Sequence, residues 1–207
     1  MEGVVEIKSY LNKIKIIKNL YLKGANTASE ICNEVGISLP TVNSLLTDLM
    51  SSGEVIKHGR AESQGGRKPD LYRLAEDAFY VLSVDLSKFN MNVGLYSCNH
   101  TLAVAKESHK IVLDNEKETF DKICDIIDHY LAKTGIESDK IIAIGISMPG
   151  LVDSIGGINY TYFRFGKKSL LENFESRFQK KIFMENDARA MTLAEFKFGS
   201  DHSHKNV

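Results

Sequence analysis

The sequence predicts an α/β protein in two parts, and three observations predict it. Up to about Leu74 the chain reads as short helices, with capping signals, followed by a basic turn. From about Phe79 the pattern changes to apolar runs of strand length alternating with helical stretches, which is the signature of a mixed sheet. The turn that closes the first part, "QGGRKPD", is basic and Gly-rich. The 207 residues are enough for one large domain or two small ones.

Composition narrows the class. Hydrophobic content of 43% and charged content of 26% are those of an ordinary globular chain. No apolar run approaches the ~20 residues that span a bilayer, and the charged, amphipathic N-terminus is not a secretory signal. The expectation is a cytoplasmic protein without a membrane partner. Cys32, Cys98 and Cys124 are far apart and form no CxxC pair, which points to reduced thiols and to no zinc motif. His202 and His204 read as part of a solvated tail. A net charge of −1 means that any contact with nucleic acid has to come from a local patch.

In the N-terminal part, Leu11, Ile14, Ile17 and Tyr21 lie on one face of a first helix. Thr27–Glu30, T-A-S-E, is a capping box, in which a hydroxyl and a carboxylate satisfy each other's backbone donors. The helix it opens buries Ala28, Ile31 and Val35, and Gly36 supplies a left-handed stop. Ser38 is placed to cap a third helix, which tolerates Pro40 in its first turn and turns Val42, Leu45, Leu46 and Leu49 inward. Pro40, Thr41, Asn43, Ser44 and Thr47 are left pointing outward or on the flanks. Two short helices joined by a Gly turn, the second with a small polar outer face, have helix-turn-helix geometry. That face has no Arg or Lys, so it cannot make a bidentate contact to guanine; Asn43 can read adenine, and Thr41 or Ser44 can touch base or phosphate. The positive charge follows in a hairpin-like stretch with strands at 54–58 and 70–74, where Lys57, Arg60, Arg67, Lys68 and Arg73 surround the turn. This makes a wing, and "GGRKP" suits the entry of Arg67 into a narrow minor groove. The competing reading is a small interaction bundle with a solvated basic loop.

In the second part, "FYVLSVDL" and "MNVGLYSC" form a hairpin through "SKFN", and "TLAVAKESHKIV" adds a third strand. Phe120, Ile123, Ile126, Ile127, Tyr130 and Leu131 repeat at helical spacing. "KIIAIGISMPG" is a strand with a Pro-Gly stop, a helix occupies about 168–179, and the strand "KIFME" leads to a helix from Ala188. Glu185, Asn186 and Asp187 fall at that last junction. An acid and an amide at a strand end can hold a sugar hydroxyl or take its proton, while Asn186 or Asp187 can equally cap the helix.

Taken in order, "TASEICNEVGISLPTVNSLLTDLMSSGEV", "GGRKPDLYRLAE", "VLSVDLS", "IGISMPGLVDSIGGI" and "ENDARAMTLAEFKFG" resemble the ROK family (repressors, open reading frames and kinases) over nearly the whole chain. The resemblance implies a winged helix-turn-helix DNA-binding domain at 1–74. It implies at 75–207 the first lobe of an actin-like (ribonuclease H-like) sugar-kinase-type domain, incomplete within these residues. Either the chain is a truncated regulator or it is the opening part of a longer one. The family's phosphate hairpin, Asp-x-Gly-x-Thr, corresponds here to Asp85 through Phe89, with Ser87 and Phe89 in place of the glycine and threonine. A side chain at that turn obstructs phosphate approach. Asn186 and Asp187 match the family's sugar-binding pair, and Pro149 and Gly150 sit where a sugar rests against backbone. Asp153 belongs to the same loop or forms a turn. Arg189 stands where the family has a second Asn, and either faces the pocket, favouring an acidic or phosphorylated sugar, or points outward along its helix.

The expected function is a transcriptional repressor of sugar-metabolism genes that binds a double-stranded operator and responds to a sugar or sugar phosphate. A homo-oligomer, dimer or higher, is expected, with no cofactor and no catalytic or metal residue. The alternative is an ATP-dependent sugar kinase with an N-terminal extension.

Overall fold

The first helix of the computed structural model, α1 (Glu2–Lys23), shows how the N-terminal core is chosen. Ile16 and Leu20 are buried, Ile17 and Tyr21 are partly buried, and Leu11 and Ile14 are exposed. The expected face Leu11–Ile14–Ile17–Tyr21 is therefore rotated. The helix carries apolar residues on two sides: the Ile16/Leu20 side enters the core, Ile17 and Tyr21 pack against its edge, and Leu11 and Ile14 are left outside. The structure describes residues 2–61 and 68–199, with side chains from Glu6 onward.

Next come β1 (Asn26–Thr27), α2 (Ala28–Val35) and α3 (Leu39–Ser51). The capping box forms, with the Glu30 amide donating to Thr27 Oγ1 at 3.3 Å and the Thr27 amide to Glu30 Oε2 at 2.7 Å. Gly36 ends α2 at φ 67°, a left-handed conformation suited to glycine. Ser38 occupies the N-cap of α3, but its hydroxyl meets Thr41 Oγ1 at 2.8 Å and no backbone amide. Val42, Leu45, Leu46 and Leu49 turn inward as the spacing predicts. β2 (Val55–Arg60) and β3 (Asp70–Leu74) close a three-stranded sheet in the order β1-β3-β2. The two-residue β1 exists only through its pairing with Leu71 and Tyr72.

β4 (Tyr80–Leu86), β5 (Asn90–Ser97) and β6 (Leu102–Lys110) come next, followed by α4 (Lys117–Thr134) and β7 (Ile141–Met148). A short ribbon, β8 (Val152–Asp153) and β9 (Ile158–Asn159), precedes α5 (Leu170–Phe178), β10 (Lys181–Asn186) and α6 (Asp187–Phe198). The five-stranded sheet has the order β10-β7-β4-β5-β6. β10, β7 and β4 run parallel, while β5 and β6 pair antiparallel. Parallel neighbours need crossovers, and α5 supplies the one from β7 to β10. Leu82, Val84 and Leu86 of β4 and Ile144, Ile146 and Met148 of β7 share a core with Phe120, Ile123, Ile127 and Tyr130 of α4 and Phe174 of α5. Burying each such side chain stabilises by about 1.5–3 kcal/mol. The Tyr130 hydroxyl accepts the Leu95 amide at 3.1 Å, next to a register shift in the β5–β6 ladder, so a side chain replaces a missing strand bond.

The chain divides into two compact units, Met1–Phe79 with Ser97–Thr101, and Tyr80–Tyr96 with Leu102–Val207. The turn between β5 and β6 is thus part of the N-terminal unit. Cys98 is buried in that unit's core, its thiol 2.9 Å from the Ala75 carbonyl, and His100 Nε2 donates to the Tyr21 carbonyl at 2.8 Å. Among the described residues no helix is long and apolar enough to cross a membrane.

Candidate functional site

In the N-terminal unit, Pro40, Thr41, Asn43, Ser44 and Thr47 are all exposed on α3. The Thr47 hydroxyl donates to the Asn43 carbonyl at 2.9 Å, which holds it against the helix with its lone pairs outward. The surface they form is small, polar and uncharged, with the Asn43 amide offering donor and acceptor side by side. Such a face can meet base edges closely but neutralises no phosphate.

The charge lies on the two strands of the wing. Lys57 and Arg60 are exposed on β2, and Lys68 is exposed just before β3. The sequence reading missed their companion, Asp70. Its carboxylate accepts from Lys57 Nζ at 2.6 Å and lies 3.8 Å from Arg60 Nε. The hydrogen bond from Lys57 to Asp70 raises the lysine pKa, so Lys57 stays charged while part of its field is cancelled. Asp70 opposes Arg60 across the β2–β3 ladder, past a register shift after Lys57 that the sequence does not announce. Arg73 pairs with Glu76 at 3.2 Å. Arg67 of "GGRKP" lies outside the described residues, as do His202 and His204.

In the second unit, the parallel strands β4, β7 and β10 end on the same side of the sheet, which is where ligands bind in open α/β sheets. Asp85, Pro149, Gly150, Asn186 and Asp187 come from these ends. Asp85 is fully engaged: Ser147 Oγ donates to one oxygen at 2.8 Å and Asn92 Nδ2 to the other at 3.1 Å. Its role here is to fasten β4 to β7 and β5. The turn after it is closed by the Ser87 amide on the Asn90 carbonyl at 2.8 Å, and it presents an exposed Phe89 with the Lys88 ammonium 5.2 Å from its ring centre. No phosphate cradle is built from these side chains.

Asn186 caps α6, its oxygen accepting the Arg189 amide at 3.2 Å while its amide donates to the Gly150 carbonyl at 3.0 Å. The capping reading is therefore met, and the same side chain ties α6 to the loop after β7. Gly150 has φ 101°, and a β-carbon there would lie 2.7 Å from Thr161, so only glycine fits. Asp187 is half-buried and accepts the Ala188 amide at 2.8 Å through one oxygen. No donor among the described residues reaches its other oxygen. Asp153 accepts the Ile155 and Gly156 amides at 3.1 and 2.9 Å, which makes it a turn former. Arg189 is exposed and pairs with Glu185, near the end of β10, at 3.4 Å.

Asn159 was not expected. It is 1% exposed, donates to the Pro149 carbonyl at 2.9 Å, and accepts the Thr161 and Tyr162 amides at 2.8 and 3.1 Å. One amide thus organises the whole Pro149–Tyr162 loop. Its only sequence signal is an Asn shortly after a Gly-Gly pair, a common turn element.

Comparisons with known proteins agree with both halves. The ROK family profile matches residues 92–207, and a winged helix-turn-helix DNA-binding profile matches residues 11–55. The xylose repressor of Bacillus spizizenii is 25% identical over 198 residues, covering 95% of this chain and 51% of its own length. The DNA-binding transcriptional repressor Mlc of Escherichia coli is 25% identical over 134 residues, 63% of this chain and 33% of Mlc. A crystal structure of a ROK family transcriptional regulator, a homologue of E. coli Mlc, superposes with a TM-score of 0.68. At 19% identity over 93% of this chain and 49% of that one, it establishes the likeness of fold. The chain spans about half the length of the curated repressors it matches first.

Proposed function

The chain belongs to the ROK family, and from its combination with a winged helix-turn-helix we propose that it acts as a sequence-specific transcriptional repressor of sugar-metabolism genes. Residues 1–74 serve as the DNA-binding domain and 75–207 as the first lobe of the effector domain. The observation that carries the reading is α3, whose outward residues are small, polar and unpaired with any charge, set beside a basic wing. Asn43, Thr41 and Ser44 read bases, while Lys57, Arg60, Arg67 and Lys68 hold the backbone and adjoining minor groove of an operator. A cytoplasmic homodimer presents two such helices to half-sites about one helical turn apart, or a multiple of it.

The effector is a sugar held at the Pro149, Gly150, Asn186 and Asp187 end of the sheet. The half-buried Asp187 carboxylate suits a hydroxyl donor, and the Pro149 and Gly150 carbonyls each keep a lone pair beyond their asparagine bonds. The pairing of Arg189 with Glu185 favours a neutral sugar over a phosphorylated one. Xylose is the first candidate, since the relatives include proteins named xylose repressor. The sugar releases DNA by binding one conformation of the protein better than another. The exposed Phe89 and the side chain of Ser87 speak against phosphoryl transfer.

The test is fluorescence anisotropy with the DNA upstream of the chain's own gene, against scrambled DNA of equal length. The expected result is a salt-sensitive preference for the native fragment, lowered by about tenfold or more in Asn43→Ala and by added sugar. Equal affinity for both DNAs would remove the repressor reading, and sugar-insensitive binding would remove the effector half.

A further inference from the structure

The first turn of α3 is apolar, while the rest of its outward face is polar. Leu39, at the first helical position, is 39% exposed, and Pro40 beside it is exposed as well. Neither is needed to fix the entry of the helix. Ile37 and Val42 stand at the two positions of a hydrophobic staple, before the cap and in the first turn, and both are buried in the core. Leu39, Asn43 and Thr47 recur every four residues and so share one row along the helix, with Leu39 at its N-terminal end. The hydroxyls of this face are largely spent on their own chain. Thr47 donates to the Asn43 carbonyl at 2.9 Å, and the Ser38 and Thr41 hydroxyls bond to each other at 2.8 Å. That leaves the Asn43 amide and Ser44 as the polar readers, with no cation on the face to favour guanine.

We propose that Leu39 and Pro40 close on the C5 methyl group of a thymine in the major groove, and that this contact fixes part of the operator sequence. It rests on the DNA-binding reading above and adds to it a base that hydrogen bonds from this helix do not select. Two general facts lead from the exposed pair to the methyl. The N-terminal residues of a recognition helix are the ones that reach base edges. Among the groups that base pairs present in the major groove, the thymine methyl is the apolar one. Thymine otherwise offers only the O4 acceptor there, and a face whose hydroxyl protons are turned inward has few donors to meet it. The discrimination therefore falls to apolar contact. Covering the methyl also removes from water two side chains that the folded unit leaves exposed. Asn43, next in the row, remains free to take an adenine.

The test uses the DNA upstream of the chain's own gene, amplified once with thymidine and once with deoxyuridine triphosphate. Uracil keeps every hydrogen-bonding group of thymine and lacks only the methyl. Scrambled DNA of the same composition, prepared in both forms, is the reference, and affinities are read by fluorescence anisotropy. The parent binds the thymine form of the native fragment about fourfold or more tightly than the uracil form, the scale of one buried methyl group. It does not separate the two forms of the scrambled DNA. Leu39→Ala combined with Pro40→Ala loses affinity for the thymine form alone, so that the two forms bind alike; unfolding would weaken both equally. Asn43→Ala weakens both forms and keeps the preference. A parent that prefers native over scrambled DNA but binds its thymine and uracil forms equally would overturn the methyl contact and leave the DNA-binding reading standing. A thymine preference that survives in the double variant would overturn the assignment to Leu39 and Pro40. A parent with no preference for the native fragment would overturn both readings.

Discussion

On the proposed DNA-binding reading, Asp70 sets how strongly the wing would attract DNA. Its carboxylate holds Lys57 at 2.6 Å and lies within ion-pair range of Arg60, so two of the cations proposed to meet a phosphate backbone are already partly neutralised. Surface pairs of this kind contribute little stability, which leaves attenuation of charge as their main consequence. Asp70→Asn should therefore leave the fold intact and tighten DNA binding at every sequence. Because each added phosphate contact steepens the salt dependence by about 0.9 in log–log slope, the variant should gain between one and two such increments. Anisotropy titrations at several salt concentrations measure it, and an unchanged slope would show that Lys57 and Arg60 do not reach the backbone.

At the scale of elements, local signals were legible and long-range ones were not. The T-A-S-E box formed because its partners are three residues apart, and the Ser169–Glu172 stretch closes a second box by the same logic. The hairpin β4–β5, the strand β10 and the helices α4 and α6 follow from runs that carry their own periodicity. The rotation of α1 was not legible: a helix with apolar residues on both sides states two faces and leaves the choice to α2, α3 and β3. Asp70 and Asn159 were missed for a related reason, since a bulged register and a closing loop decide what they touch. The α2 box also carries a pH signature. Hydrogen bonds from the Thr27 backbone and hydroxyl lower the Glu30 pKa below its ordinary value. A carboxylate depressed in the folded state stabilises above its unfolded pKa and loses that contribution as pH falls through the folded one. Thr27→Ala should cost about 1 kcal/mol at neutral pH, with the difference from the parent shrinking below about pH 4, where an unperturbed glutamate protonates. Urea unfolding across that range checks it, and a constant difference would show that the box does not titrate.

For the whole molecule, the division into units makes the N-terminal one discontinuous. Cys98 is 1% exposed in its core, and His100 meets Tyr21 edge to face with ring centres 4.4 Å apart. A fragment of residues 1–79 lacks both and leaves open the core site that Cys98 filled, a loss of roughly 2 kcal/mol on the scale of large-to-small core changes. Amides of Leu45–Leu49 should exchange about thirtyfold faster or more in that fragment than in the 207-residue chain. Equal protection would show that the Ser97–Thr101 turn is dispensable.

That turn also bears on how chains of this architecture can be recombined. A new winged helix spliced on at any single point before Tyr80 would leave a piece of the old one behind, in the loop between β5 and β6. Cys98, which here fits beneath the Ala75 carbonyl, would then face a surface it never matched. Exchanging heads between relatives requires two cuts, the second around Ser97–Thr101, and chimeras made with only the first should be the poorly folding ones.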